Sequence, residues 1–143
     1  MSRPLPLAVG AWIAVSVVAL VVSIRDRLPA RFGQGWVGSL ALDGSPAHVL
    51  RDSFVIGTAL APPVVLLVAV AVLAVLRRRW AATALAIFGP LAIVAYLGEP
   101  EGRRLLVSDW RGALVALGIA CCAAMAAAAA TELHAATLKA RTA

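Results

Sequence analysis

Four stretches of the chain, residues 5–24, 54–76, 80–97 and 112–130, contain no Asp, Glu, Lys, Arg or His. Each is close to the ~20 residues with which a helix crosses a hydrocarbon core of ~30 Å. An open sheet in lipid would leave backbone groups unpaired at its edges, so helices are the economical way to cross. No alternating pattern of ~10-residue segments, as a barrel would need, interrupts them. The expected fold is therefore all-α, an integral membrane four-helix bundle forming a single domain over residues 1–143. Its helices are expected at about 5–24, 46–76, 80–97 and 109–138, with one outer loop of roughly thirty residues at 25–53.

Composition agrees with this reading. Hydrophobic residues make up 62% of the 143 and charged residues 14%, with a mean hydropathy of +0.93. Soluble domains run near 45–50% apolar and about 25% charged, and a chain this short has no core large enough to hide the difference. Arg3 ahead of an apolar run resembles a secretory leader. The run is longer than the usual ~7–15 residues and is followed by Ser23-Ile24-Arg25-Asp26-Arg27 rather than a small-residue cleavage site. It is expected to stay as the first helix.

The net charge is +6, from twelve Arg and Lys139 against seven acids. Basic residues placed between apolar runs orient helices and meet anionic headgroups, so no nucleic-acid partner is expected. With the amino terminus in the cytoplasm, the inner side carries Arg3, Arg77, Arg78, Arg79, Lys139 and Arg141. The outer side carries Arg25, Arg27, Arg31, Arg51, Arg103, Arg104 and Arg111. The numbers nearly tie, and density decides. Arg77-Arg78-Arg79 fills the whole second connection, whereas the outer loops mix in Asp26, Asp43, Asp52, Glu99, Glu101 and Asp109. Both termini are placed in the cytoplasm. Trp80 and Trp110 fall at span ends, where indoles favour the headgroup level; Trp12 and Tyr96 lie there or deeper.

Pro62-Pro63 and Gly89-Pro90 fall inside the second and third stretches and predict kinks or local unwinding. Ser45-Pro46 reads as an N-cap followed by Pro at the first helical position, and Ser108 or Asp109 as the cap of the fourth helix. The fourth helix is built of Ala, Gly and Cys. Gly112 with Ala116, and Gly118 with Cys122, stand at the small-xxx-small spacing of packed membrane helices. That face is expected to receive a neighbouring helix of this chain, a membrane protein partner or a second copy. Adjacent Cys121 and Cys122 lack metal-ligand spacing and read as packing residues.

Chemistry-bearing motifs are scarce. The loop at 25–53 holds Phe32, Trp36, Val37 and Leu40-Ala41-Leu42, which predicts that it folds back on the surface or over the bundle mouth. His48 and Asp52 are one helical turn apart and could orient a proton donor or hold a metal, with Asp43 as a third ligand; a solvated helix start is the reading preferred. Glu99 and Glu101 flank Pro100 beside Arg103-Arg104 and read as a charged turn. There is no phosphate loop, paired-Cys zinc pattern, Gly-x-Ser-x-Gly elbow or dinucleotide fingerprint. No catalytic, cofactor-binding or metal residues are assigned. Pumps and ion-coupled carriers place ionisable groups inside their bundles despite an insertion penalty of about 2.5–3.5 kcal/mol. These spans offer instead Ser16, Ser23, Thr58, Thr83 and Tyr96.

Residues Arg27-Leu28-Pro29-Ala30-Arg31-Phe32-Gly33-Gln34-Gly35-Trp36 follow the first helix directly. They resemble a short motif in a family of small bacterial membrane proteins that includes toxin-immunity and signalling proteins. That motif runs roughly Leu-Pro-x-x-[Ile/Leu]-Pro-x-His-Phe, then Gly and Asp, with Arg31 here in the place of its His. The resemblance implies a small bacterial membrane protein and carries no site residue over; the expected location is the bacterial cytoplasmic membrane. Three functions are expected in order. The first is a non-enzymatic protein acting by association, as an accessory subunit or an immunity or sensor-type partner. A small transporter using the Pro-interrupted helices is the second, and a membrane enzyme using His48 and Asp52 is the third.

Overall fold

The structure, a computed structural model, describes residues 4–30, 45–76 and 78–141. Arg31–Gly44, with Phe32, Trp36, Leu40-Ala41-Leu42 and Asp43 of the expected loop, lies outside the described residues. So do Arg3 and Arg77. All regular structure among the described residues is helical: α1 (Pro4–Arg25), α2 (Pro46–Ser53), α3 (Val64–Leu76), α4 (Arg79–Gly98), α5 (Pro100–Ser108) and α6 (Gly112–Arg141). Of these, α1, α4 and α6 are long and apolar enough to cross a membrane.

Each long helix buries one narrow stripe. In α1 it is Leu5, Val9, Trp12, Ser16, Ala19 and Ser23; in α4 it is Leu85, Gly89, Ala92 and Tyr96; in α6 it is Val115, Gly118, Cys122 and Met125. Steps of three and four place these residues on one face of a 3.6-residue helix. The remaining faces are apolar too: Leu7, Val17, Val21, Ile87, Leu91, Val94 and Leu117 are all exposed. Exposed apolar side chains thus recur along all three helices rather than singly, the pattern of a membrane or partner-binding surface.

Helix α6 packs between α1 and α4. It runs antiparallel to both. Arg111 Nε, just before α6, lies 2.9 Å from Asp26 Oδ2 at the end of α1, and Arg79 at the start of α4 donates to Ala136 O at 3.2 Å. The Arg111 N–H is not aimed along its contact, so the tie to Asp26 is an electrostatic one. Asp109 Oδ2, at 3.5 Å, adds a second carboxylate to the same guanidinium. Trp12 meets Phe88 edge-on, with ring centroids 5.4 Å apart, which joins α1 to α4.

Small residues set how close α4 and α6 come. A methyl group on Gly89 would stand 2.7 Å from Ala126 Cβ and 2.8 Å from Cys122 O, and one on Gly118 would meet the Tyr96 ring at 2.9 Å. The Gly118–Cys122 pair is thus used within the chain, while Ala116 faces outward. Cys122 is buried and Cys121 half-buried, both as free thiols.

Several expectations are corrected. The second helix, expected over 46–76, is two helices separated by residues 54–63. Pro62 is both a proline and the residue before one, which excludes it from helical geometry. Pro63 then acts as the first acceptor of α3, receiving Leu66 and Leu67 N–H at 3.0 and 3.3 Å. Within the apolar stretch 54–76 only the thirteen residues of α3 are helical, short of a full span. Conversely, α4 runs through Gly89-Pro90 without unwinding. There a single amide is lost, and the preceding glycine has no Cβ to clash with the proline ring. The turn expected at 99–104 is the start of α5, with Pro100 at its first position and Gly102 and Leu105 facing inward. The fourth expected helix, 109–138, runs from Gly112 to Arg141.

Helix α1 closes on an unusual cap. Leu28 N–H donates to Ser23 O at 2.8 Å and Arg27 N–H to Ile24 O at 3.3 Å, with Arg27 at φ 55°. This is the Schellman pattern with arginine where glycine is usual. A left-handed L-residue is disfavoured by about 1–2 kcal/mol, part of which glycine returns through its freer unfolded state. Arg27→Gly is expected to raise the denaturation midpoint in mild detergent by the equivalent of about 0.5–1 kcal/mol. A lowered midpoint would show the arginine side chain to be a stabilising partner instead.

Candidate functional site

At the start of α2 the contacts described are local ones. Ser45 caps the helix as expected, its Oγ accepting from His48 N–H at 3.4 Å and lying 2.8 Å from His48 Nδ1. Asp52 pairs instead with neighbouring Arg51, Nε to Oδ1 3.1 Å. The described contacts therefore join His48 and Asp52 to different neighbours. Asp43, the third ligand considered, lies outside the described residues. Among the described residues no group of three His, Cys, Asp or Glu side chains could hold a metal.

The break between α2 and α3 builds something different. Residues Gly57–Ala61 are all buried although none is helical. Buried backbone polar groups need partners, and much of this stretch finds them locally. Asp52 O accepts from Ile56 and Gly57 N–H at 2.8 and 3.2 Å, and Thr58 N–H donates to Ala61 O at 2.8 Å. Ala59 N–H reaches Leu28 O at 3.3 Å beside a single antiparallel bridge between Pro29 and Thr58. Thr58 is the centre of the arrangement: its Oγ1 donates to Ser23 Oγ at 3.0 Å and accepts from Ala61 N–H at 3.0 Å. Gly57 turns the chain at φ 93°, where a methyl group would meet Ala61 O at 2.9 Å.

Against this stretch lies a cavity of about 520 Å³. One wall is Thr58–Pro63 with Leu66 of α3, and the other is the α4 face carrying Phe88, Leu91, Ala92, Ala95 and Tyr96, closed at one end by Ala30 and Glu99. The lining is apolar apart from Thr58, Tyr96 and Glu99. A mostly apolar pocket of 300–1,000 Å³ with a few convergent polar groups is the usual form of a small-molecule site. Glu99 is the unexpected member. It was expected in a charged turn, yet it is 7% exposed. It ends α4 and begins α5, and the close approach of Gly102 to Ala59 O, 2.9 Å from where a Cβ would be, holds α5 beside the broken segment.

Behind the α4 wall, Trp12 and Ser16 are fully buried beside Tyr96 and Cys122. Neither Trp12 Nε1 nor Ser16 Oγ has a hydrogen-bond partner among the described residues. Trp12 and Tyr96 thus lie deep in the bundle, whereas Trp80 and Trp110 are exposed at helix ends. The double proline is the sequence signal that pointed here. It marked the break without revealing the depth of the pocket or the burial of Glu99. Comparison with known proteins finds no matching family model, no matching curated protein and no matching solved structure.

Proposed function

We propose that the chain is an integral membrane protein that acts by association rather than catalysis, and that the cavity beside the broken second segment is where it binds an apolar ligand. One observation carries this reading: the non-helical stretch Gly57–Ala61 is buried, and its residues Thr58–Ala61 line the cavity. Unwound backbone at membrane depth is tolerated where it is enclosed by protein or lines a cavity. A continuous helix would have satisfied the same amides with no special side chains. The apolar outward faces of α1, α4 and α6 support the bilayer as the surroundings. The Arg78-Arg79 pair supports the cytoplasmic placement of both termini, and the resemblance of residues 27–36 supports a bacterial cytoplasmic membrane. The outward face of α6, with Ala116, Ala120 and Ala123 exposed, is the surface offered to a membrane partner or a second copy.

A small transporter is the second reading, favoured by the same break, since discontinuous helices build transporter sites. A membrane enzyme using His48 and Asp52 is the third reading.

The binding reading is tested by native mass spectrometry of the chain extracted in mild detergent. Wild type is expected to retain a non-covalent small-molecule adduct. Ala95→Phe, which fills the cavity from a position exposed enough to spare the fold, is expected to lose it at unchanged thermal stability. Absence of any adduct on wild type, or its full retention in Ala95→Phe, would overturn the reading.

A further inference from the structure

The cavity has an orientation and a length. Its polar members do not surround it: Thr58 and Glu99 stand at the end where α1 finishes and α5 begins, with Tyr96 one turn further in, and beyond them the lining is wholly apolar down to Phe88. From Glu99 to Phe88 is eleven residues of α4, about 16 Å at 1.5 Å per residue. Half of a hydrocarbon core of about 30 Å is about 15 Å. With Glu99 at the end of α4 set at an interface, a lining of this length matches the depth of a single leaflet.

It also opens sideways. Leu66 on α3 and Leu91 on α4 belong to the lining and are 38% and 62% exposed. Their neighbours Val65, Val68, Ile87 and Val94 carry the same apolar surface outward. An occupant enters between α3 and α4 without leaving hydrocarbon. At the polar end, Arg27, Arg103 and Arg104 are exposed within a few residues of the lining residues Ala30 and Glu99, at the level where a lipid places its phosphate.

Resting on the binding reading above, we infer that the ligand is a phospholipid of the surrounding leaflet. One acyl chain lies in the cavity along α4, and the glycerol and phosphate stay at the level of Thr58, Glu99 and the arginines. The lateral opening favours a bilayer lipid over a water-borne ligand. The one-leaflet depth favours an acyl chain over a compact apolar molecule. The confinement of polar groups to one end favours an amphiphile over a pure hydrocarbon.

The test uses the full chain in phosphatidylcholine–phosphatidylglycerol vesicles containing a phosphatidylcholine with a diazirine midway along one chain. After photolysis, adducts are mapped by peptide mass spectrometry. Leu60, Ala92 and Tyr96, which are buried, are expected to label at least as strongly as the exposed Val17 and Val72. In Ala95→Phe, labelling of the three buried residues is expected to fall about tenfold, the equivalent of about 1.4 kcal/mol, with Val17 unchanged. Labelling confined to Val17, Val72 and other exposed positions overturns the inference. So does labelling of the buried set by a diazirine fatty acid alone and never by the phospholipid. The two readings fail separately. An adduct of non-lipid mass that Ala95→Phe removes, with the buried set unlabelled, sinks the phospholipid and leaves the binding site. No adduct and no internal labelling sinks both.

Discussion

Gly89→Leu is expected to destabilise the chain by about 3 kcal/mol or more, the upper end of what overpacking does in a tight interior. The reason is the nature of the obstacle. A Cβ at this position meets Cys122 O at 2.8 Å and Ala126 Cβ at 2.7 Å. Both belong to α6 rather than to a long side chain able to swing away. Relief requires α4 and α6 to separate, which also loosens the Tyr96–Gly118 contact one and a half to two turns along. Unfolding in a mild detergent titrated with SDS would read the loss directly, together with the monodisperse fraction after extraction. Ala116→Leu is the control, because Ala116 lies on the outward face of the same helix and should shift stability by less than about 0.5 kcal/mol. Equal stability of Gly89→Leu and wild type would mean that α4 and α6 do not pack through these glycines.

Gly57→Ala is the second large effect, expected at about 3 kcal/mol from two additive sources. A residue held at an unfavourable positive φ is strained by about 1–3 kcal/mol, and here φ is 93°. The added methyl also approaches Ala61 O at 2.9 Å and Pro63 N at 3.0 Å, atoms of the very turn the residue makes. Unlike Gly89→Leu, this change should act on the cavity before it acts on the bundle. The adduct seen by native mass spectrometry is expected to disappear while the α4–α6 contact persists. Gly10→Ala provides the comparison: a Cβ there meets nothing within 4 Å, so the usual helical preference for alanine, roughly 0.5–1 kcal/mol, should appear as a small gain. Retention of both stability and adduct in Gly57→Ala would remove the enclosed turn from the account of the site.

What the sequence made legible follows from which signals are local. The long apolar runs announced α1, α4 and α6 because length and absence of charge suffice. Ser45-Pro46 announced α2 because a cap is a property of adjacent residues. Pro62-Pro63 located the break at its downstream edge. The upstream edge was hidden because Phe54–Ala61 is as free of charge as the helix after it, and two of its partners, Leu28 O for the Ala59 amide and Ser23 Oγ for the Thr58 hydroxyl, lie more than thirty positions away. The α5 helix was missed for a related reason. Pro100 and the charged pairs around it read as a turn, and its inward-facing Gly102 and Leu105 gain meaning only beside Ala59 and α6. Burial of Glu99 is likewise a tertiary fact. Gly89-Pro90 misled in the other direction, since a proline preceded by glycine can be accommodated where two consecutive prolines cannot.

The unwound segment has one more consequence, which concerns the order of assembly. The hydrogen bonds traced through it run between Ser23 and Val65: Ser23 and Leu28 receive Thr58 and Ala59, Asp52 receives the turn, and Phe54 O receives Val65 N–H. All these partners are synthesised before α4 exists. The emerging chain is therefore expected to set this turn from its first half, with α4 and α5 adding the second face of the pocket.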